Sequence, residues 1–358
     1  MPRTTPTAGA TPCARRVRAI PITFRDEHIE LVHGAGGKAS RRLIDGLIAP
    51  QLLDGRAAVL GDAAIVALRA ARVAFTTDAF VVRPLRFPGG SIGDLAVNGT
   101  VNDLAVSGAR PRALVCSFIL EAGLDVAVLR AELAALRAAA DRAGVEFVGG
   151  DTKVVDHGEA DQLYVTTAGI GDPLDVELGP QRVCDGDRVI VSGPIGDHGI
   201  TILLARGEID LRANIASDTR SVWPFVEALL GAVGEGVRWM RDPTRGGVAT
   251  SLNELARDAR VGVTLDETAL PIRDVVKGAS EILGIDPLHV ANEGQFLAVV
   301  ARASADVALA AIRAIPGGEG AVVIGEIAGQ AGLVQCRTPY GSSRIVDMLV
   351  GDPLPRIC

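Results

Sequence analysis

The chain carries 358 residues with 36 Lys and Arg against 43 Asp and Glu, a formal net charge of -7, and this acidic balance excludes nucleic acid as the main partner. Hydrophobic residues make up 48% and charged residues 22%, yet no run of 18 or more apolar residues occurs, which excludes a membrane-spanning helix and points to a globular α/β protein of two ordinary domains. Aromatic residues reach only 3% while Gly totals 42, so Ala, Val, Leu and Ile must build the core, and glycines clustered in polar patches suggest backbone approaching a ligand.

Residues 1–27 are rich in Thr, Pro, Ala and Arg, and no apolar stretch follows Arg15 and Arg16. They read as a disordered extension. The five cysteines, Cys13, Cys116, Cys184, Cys336 and Cys358, lack the spacing of zinc or iron-sulfur sites. An odd, unpatterned count favours a reducing, cytoplasmic setting. The glycine-rich loop from His33 to Lys38 opens an amphipathic helix over 40–48, and short strands at 57–60 and 64–68 flank Gly61 and Asp62. A strand over 73–77 runs into Asp78. Each of these carboxylates is expected at a strand end, open to a metal ion or polar ligand.

A helix over 91–107 repeats Asp94, Asn98 and Asn102 at four-residue spacing, with Asp103 beside them. A stripe of short amides and carboxylates suits a ligand better than solvent. A strand over 111–120 holds Cys116 as a small buried hydrophobe, and an alanine-rich helix spans 125–142. The next strand, 145–148, is expected to end in Gly149, Gly150, Asp151, Thr152 and Lys153. There two glycines let backbone crowd a ligand, the carboxylate holds a cation and the lysine adds positive charge. A strand over 161–171 closes this half, and 173–186 reads as a linker.

The second half opens with a strand over 188–192 and the turn Gly196, Asp197, His198, Gly199, followed by helices over 197–206 and 219–233. Asp242, Pro243, Thr244, Arg245, Gly246 and Gly247 precede a helix over 248–259. A strand over 262–265 and a helix over 272–283 follow, and Asn292, Glu293 and Gly294 open a strand over 296–300. A helix over 305–314 and strands over 322–327 and 333–335 complete the domain. Two α/β domains, 28–175 and 176–340, thus face each other across a cleft. In the tail, 341–358, Pro353 and Pro355 forbid a regular helix or central strand. Its 18 residues span roughly 23 Å as a coil and about 60 Å extended, so the Cys358 thiol is placed to travel.

In combination, Thr76-Thr77-Asp78, the run from Asn102 to Gly108, and the run from Gly149 to Lys153 resemble the ATP site of the PurM-like superfamily. The turn at Gly196, the stretch Asp242 to Gly247, Asn292-Glu293-Gly294 and the ending Pro355-Arg356-Ile357-Cys358 narrow the resemblance to the HypE family of hydrogenase maturation factors, from about residue 28 onward. The resemblance implies a homodimer whose N-terminal domains pair through their sheets. ATP would contact Asp78, Asn102, Asp103, Gly149, Gly150, Asp151, Thr152, His198, Asp242, Thr244, Arg245, Gly246, Gly247 and Asn292. It also implies a carbamoyl dehydratase, in which HypF loads a carbamoyl group on Cys358, ATP-dependent dehydration yields a thiocyanate, and the cyanide passes to iron on HypC and HypD.

On that reading Asp62, Asp78, Asp103 and Asp151 are oxygen ligands for Mg2+, with Asp62 the least anchored in a motif. Lys153 neutralises the transferred phosphate or activates the carboxamide oxygen, and Glu293 is a base for the nitrogen proton. Which of the two handles the proton stays open. Cys358 is the carrier nucleophile, only ~3% thiolate at pH 7 when free, with Arg356 expected to favour the thiolate. Selenophosphate synthetase shares the superfamily site, but its reactive residue sits beside the N-terminal glycine-rich loop, whereas Cys13 lies upstream in a Pro and Thr tract. A non-catalytic assembly adaptor is the alternative from another class.

Overall fold

The computed structural model describes residues 23–26, 37–43, 45–46, 64–67, 72–207, 213–351 and 356–358. The expectations for Asp62, the 57–60 strand and most of the 33–38 loop lie outside them. Helix α1 (Gly37–Leu43) comes first, then strands β1 (Ala64–Ala67) and β2 (Arg72–Phe80), a ribbon of β3 (Arg86–Phe87) and β4 (Gly90–Ser91), and helix α2 (Ile92–Val106). Strand β5 (Ala109–Glu121), helix α3 (Val126–Ala143) and strands β6 (Glu146–Val155) and β7 (Leu163–Pro173) complete the first sheet, in the order β1-β2-β7-β5-β6. Every neighbour is antiparallel except β5 with β6, where α3 supplies the crossover that a parallel pair requires.

The inner face of this sheet is covered by α2, in which Ile92, Leu95, Val97, Val101 and Leu104 are fully buried. Among the described residues no element covers the outer face, and Phe75, Val115, Ile119 and Ile170 stand 38–46% exposed on it. Cross-strand register places these residues together, with Phe75 opposite Ile170 and Ile170 opposite Ala113.

The second sheet is built from β8 (Arg188–Val191), β9 (Val237–Arg241), β10 (Val263–Asp266), β11 (Leu297–Val300), β12 (Val322–Ile327), β13 (Val334–Arg337) and β14 (Ser343–Ile345), in the order β14-β13-β10-β12-β8-β11-β9. Strand β11, between β8 and the edge strand β9, reads Leu-Ala-Val-Val and is buried throughout, as a strand covered on both faces should be. Helices α4 (Asp197–Ala205), α5 (Trp223–Val233), α6 (Gly247–Ala259), α7 (Asp274–Leu283) and α8 (Ala305–Arg313) cover it. The helix expected from 219 begins only at Trp223, with Pro224 in its first turn, and this leaves Ser217 to Val222 as an irregular segment against the first domain. Helix α1 packs away from its sequence neighbours: Lys38 pairs with Asp347 at 2.5 Å, and Arg41 lies 3.4 Å from Glu254 on α6.

Strand β6 does not end at residue 148 but continues through the glycine-acid motif to Val155. The crowding expected at Gly150 is with β5 instead of a ligand, since a Cβ there would lie 2.0 Å from the Cys116 carbonyl oxygen. Gly150→Ala is expected to lose roughly 1–3 kcal/mol because the obstacle is backbone. Gly149→Ala, whose Cβ would meet only Val115 at 3.7 Å, serves as the control in denaturant titrations, and equal midpoints for the two variants would refute the account.

Candidate active site at the docked cysteine

The segment leading to the cysteine is anchored twice. Val346 N donates to Val334 O at 2.9 Å, Asn253 Nδ2 donates to Val346 O at 2.9 Å, and Lys38 N donates to Leu349 O at 3.0 Å. Beyond that, residues 356–358 lie along the chain that leaves β2. Val81 N donates to the main-chain oxygen of Cys358 at 3.0 Å and Arg83 N to Arg356 O at 3.3 Å. The Ile357 side chain is buried in the core. Of the 18 residues expected to move together, those from 343 to 349 are held by strand pairing and hydrogen bonds, and the last three are seated between the domains.

The thiol faces charged groups from both domains. Arg245 Nη2 lies 3.1 Å from Cys358 Sγ. Burial pushes the thiol up to about 11, with Arg245 opposing and the Glu293 and Asp78 charges adding to the rise. The Arg356 guanidinium, expected to assist the thiol, instead lies 2.8 Å from Asp161 Oδ2. Glu293 is buried, and its Oε1 has no hydrogen-bond partner among the described residues. Desolvation, reinforced by the Asp78, Asp242 and Asp218 charges and opposed by Arg245, raises its carboxyl well above the ordinary carboxylate range. Burial likewise raises Asp78, against the pull of the Ala79 N–H and Arg245.

The backbone around Glu293 is fixed from both sides. Asp218 accepts from Glu293 N at 3.0 Å and from Gly294 N at 3.2 Å. Asn102 Nδ2 donates to Glu293 O and to Arg220 O, while Asn102 Oδ1 accepts from Val222 N at 2.8 Å. The α2 amides therefore join the domains, Asn98 Nδ2 donating to Thr219 Oγ1 at 3.2 Å, whereas Asp94 pairs within the first domain, with Arg142 on α3. The Asn102 side chain thus holds the backbone at Glu293, Arg220 and Val222. His198 is buried, with Nε2 3.0 Å from Ile357 O and Nδ1 2.8 Å from Ser217 Oγ. A carbonyl only accepts, so Nε2 carries the hydrogen and Nδ1 receives the Ser217 hydroxyl. Burial lowers the His198 pKa and favours this neutral form.

Asn292 ties three turns together, accepting from Gly196 N at 2.7 Å and donating to Pro243 O at 2.9 Å and Val290 O at 3.0 Å. It thereby holds the Asp242 to Gly247 loop in place. Gly247 N closes this loop onto Thr244 O at 2.9 Å. Gly246 and Gly247 both have positive φ, and a Cβ on Gly247 would lie 2.6 Å from Leu288 O. Asn292→Ala leaves buried donors and acceptors unpaired and is expected to cost about 2–4 kcal/mol. Calorimetry would read this as a lower Tm, and an unchanged Tm would refute the assignment.

The remaining predicted residues separate. Asp103 Oδ2 accepts from Thr76 Oγ1 at 2.9 Å on the inner face. Asp151 and Lys153 are 2.7 Å apart and exposed, sharing the outer face with Ser117 and Ile119 by register. Strands β2 and β6 are three places apart, about 14 Å at the usual strand spacing, so Asp78 and Asp151 of one chain do not share an ion. No cluster of three His, Cys, Asp or Glu side chains with metal-ligand geometry occurs among the described residues. Beside β6 lies a cavity of about 570 Å³ between α3 and the sheet, lined by Cys116, Phe118, Leu133, Leu136, Arg137, Phe147 and residues 149–152. Sequence reasoning missed Asp218, Asp161 and Arg206. They stand in loops and at a helix end, outside any motif, and only the fold brings them to the site.

A sheet with an inner helix layer, joined to a second α/β domain through a polar seam, defines the AIR synthase related class. The family's N-terminal domain matches residues 60–172 and its C-terminal domain residues 185–334. The carbamoyl dehydratase HypE of Rhodobacter capsulatus is 50% identical over 94% of this chain and 100% of its own length. A crystal structure of a HypE-HypF complex is 41% identical with a TM-score of 0.81, covering 86% of this chain and 99% of that one. HypE solved in complex with ATP is 42% identical with a TM-score of 0.77, over 92% and 99%. The chain belongs to the HypE family of hydrogenase maturation proteins.

Proposed function

We propose that this chain uses ATP to dehydrate an S-carboxamide carried on Cys358 to an S-thiocyanate, supplying the cyanide ligand of a nickel-iron hydrogenase centre. The observation that carries this reading is the meeting in one buried site of the Cys358 thiol, Arg245 and the Glu293 carboxyl, whose Oε1 has no hydrogen-bond partner among the described residues. An amide does not lose water at neutral pH because hydroxide leaves poorly. ATP supplies an activating phosphoryl group, so that the carboxamide oxygen departs as phosphate. The sulfur–carbon bond is kept, both N–H protons are released, and the carbon–nitrogen bond becomes triple. Glu293 accepts a nitrogen proton, and Arg245 orients the carboxamide and offsets charge on its oxygen.

The 570 Å³ cavity fits a nucleotide in size and character. Phe118, Leu136 and Phe147 would hold the base, with Arg137 and residues 149–152 toward the phosphates. Mg2+ is the nucleotide's proposed counter-ion, with Asp151 the carboxylate that borders the cavity. The exposed row Phe75, Val115, Ile119 and Ile170 suits a homodimer paired through the first sheet. Asp151 and Lys153, on that face, would then act at the interface. HypF is the proposed source of the carbamoyl group and HypC with HypD the proposed cyanide acceptor, in the cytoplasm. Among the described residues no helix is long and apolar enough to cross a membrane.

Intact-mass spectrometry of the carbamoylated protein before and after addition of ATP and magnesium tests the reading. Loss of one water that depends on ATP is expected. A fixed mass with tail-dependent partner binding would support the adaptor alternative instead.

A further inference from the structure

The tip of the chain lies against the segment that leaves β2. Residue 358 lies opposite 81 and residue 356 opposite 83, each accepting one main-chain hydrogen bond, in antiparallel sense. Main-chain bonds of this kind recur at every second residue and do not by themselves distinguish one register from another. Arg356 makes the distinction. Its Nη1 lies 2.8 Å from Asp161 Oδ2 and its Nε donates to Val81 O at 3.2 Å. Its carbonyl accepts from Arg206 Nη2 at 2.8 Å, while Arg206 Nε donates to Arg83 O at 3.1 Å. Arg206 thus bridges the two paired backbones. Arg356 also has φ 56, a left-handed conformation uncommon for a bulky side chain, which persists where the surroundings over-determine it.

We propose that Arg356, received by Asp161 and Arg206, is the positioning residue that sets the register in which Cys358 enters the site and brings Sγ beside Arg245. The Arg356–Asp161 pair is partly exposed, with side chains 36% and 30% accessible, so it contributes little affinity. Its value lies in discrimination. A tip slipped along the edge would still bond through its backbone, but the reacting group would stand out of line, and misplacement by about 1 Å costs up to 10²-fold in rate.

Asp161→Asn and Arg206→Gln test this in the full-length protein. Neither residue touches the reacting group. Two rates are compared with wild type: iodoacetamide alkylation of Cys358, followed by mass on the C-terminal peptide, and ATP-dependent water loss in a single turnover of the carbamoylated protein. Alkylation should accelerate about 2–5-fold and water loss should slow about 10–100-fold, with carbamoyl loading not slowed and Asp161→Glu recovering part of the rate. Both rates within twofold of wild type would overturn the proposal. Faster alkylation with unaltered water loss would also overturn it, since the contacts would then hold the tail without aligning it. The rate comparison rests on the dehydratase reading. If wild-type protein loses no water, that reading fails, and the alkylation comparison alone decides whether these residues seat the tip.

Discussion

Cys358→Ala is expected to abolish both carbamoyl loading and ATP-dependent water loss. Among the other described cysteines, Cys184 is part-buried with its thiol turned to Arg182 O at 3.6 Å. Cys116 and Cys336 are buried within strands, and burial pushes their thiols up to about 12 and about 11, so neither offers a nucleophile to a partner. Docked Cys358 is also held up at about 11, but it sits at a chain tip that can leave its seat. Free in water, its thiolate fraction rises to ~3% at pH 7. On the proposed reading, loading then belongs to the undocked tail and dehydration to the docked one. Intact mass after incubation with HypF, carbamoyl donor and ATP reads both steps, and an alanine variant that still gained a carbamoyl group would remove Cys358 from the carrier role.

Glu293→Gln separates the two steps. Water loss from the carbamoylated protein should fall about 10²–10⁴-fold, the usual contribution of a positioned base, while loading stays at the wild-type rate. The pH dependence has a definite sign. Because the Glu293 carboxyl is raised well above the ordinary range by burial and neighbouring carboxylates, it holds its proton at low pH, and the active base form increases as pH climbs through the raised pKa. Wild-type dehydration should therefore accelerate with pH and level off above that pKa, and Glu293→Gln should lose the ascending limb. A rate that falls with rising pH in the wild type would instead make Glu293 a proton donor.

The alternation of strands and helices was legible along most of the chain, because buried runs such as 188–191 and 297–300 carry no competing signal. Strand β6 was cut short because Gly149, Gly150 and Asp151 have turn composition. The close approach to Cys116 that requires Gly150 is a property of pairing, invisible along one strand. The α2 amides were rightly set apart from solvent but assigned to a ligand, since nothing local announces that Thr219, Arg220 and Val222 will meet them. Glu293, Arg245 and Cys358 were found through their motifs and do come together. The residues that seat the tip escaped notice because Arg206 and Val81 lie 150 and 275 positions from Arg356.

The two anchors of the tail, at Leu349 and at Arg356 to Cys358, make the docked chain a closed loop. The entropic cost of such a loop grows only with the logarithm of its length, about 0.6 kcal/mol for each doubling, comparable to or less than the net worth of one hydrogen bond at the tip. Tail length is therefore a soft variable and tip chemistry a hard one. The stretch between the anchors can be lengthened to meet partners of different depth with little penalty to the return, whereas changes in the last three residues alter whether the chain recognises its own end.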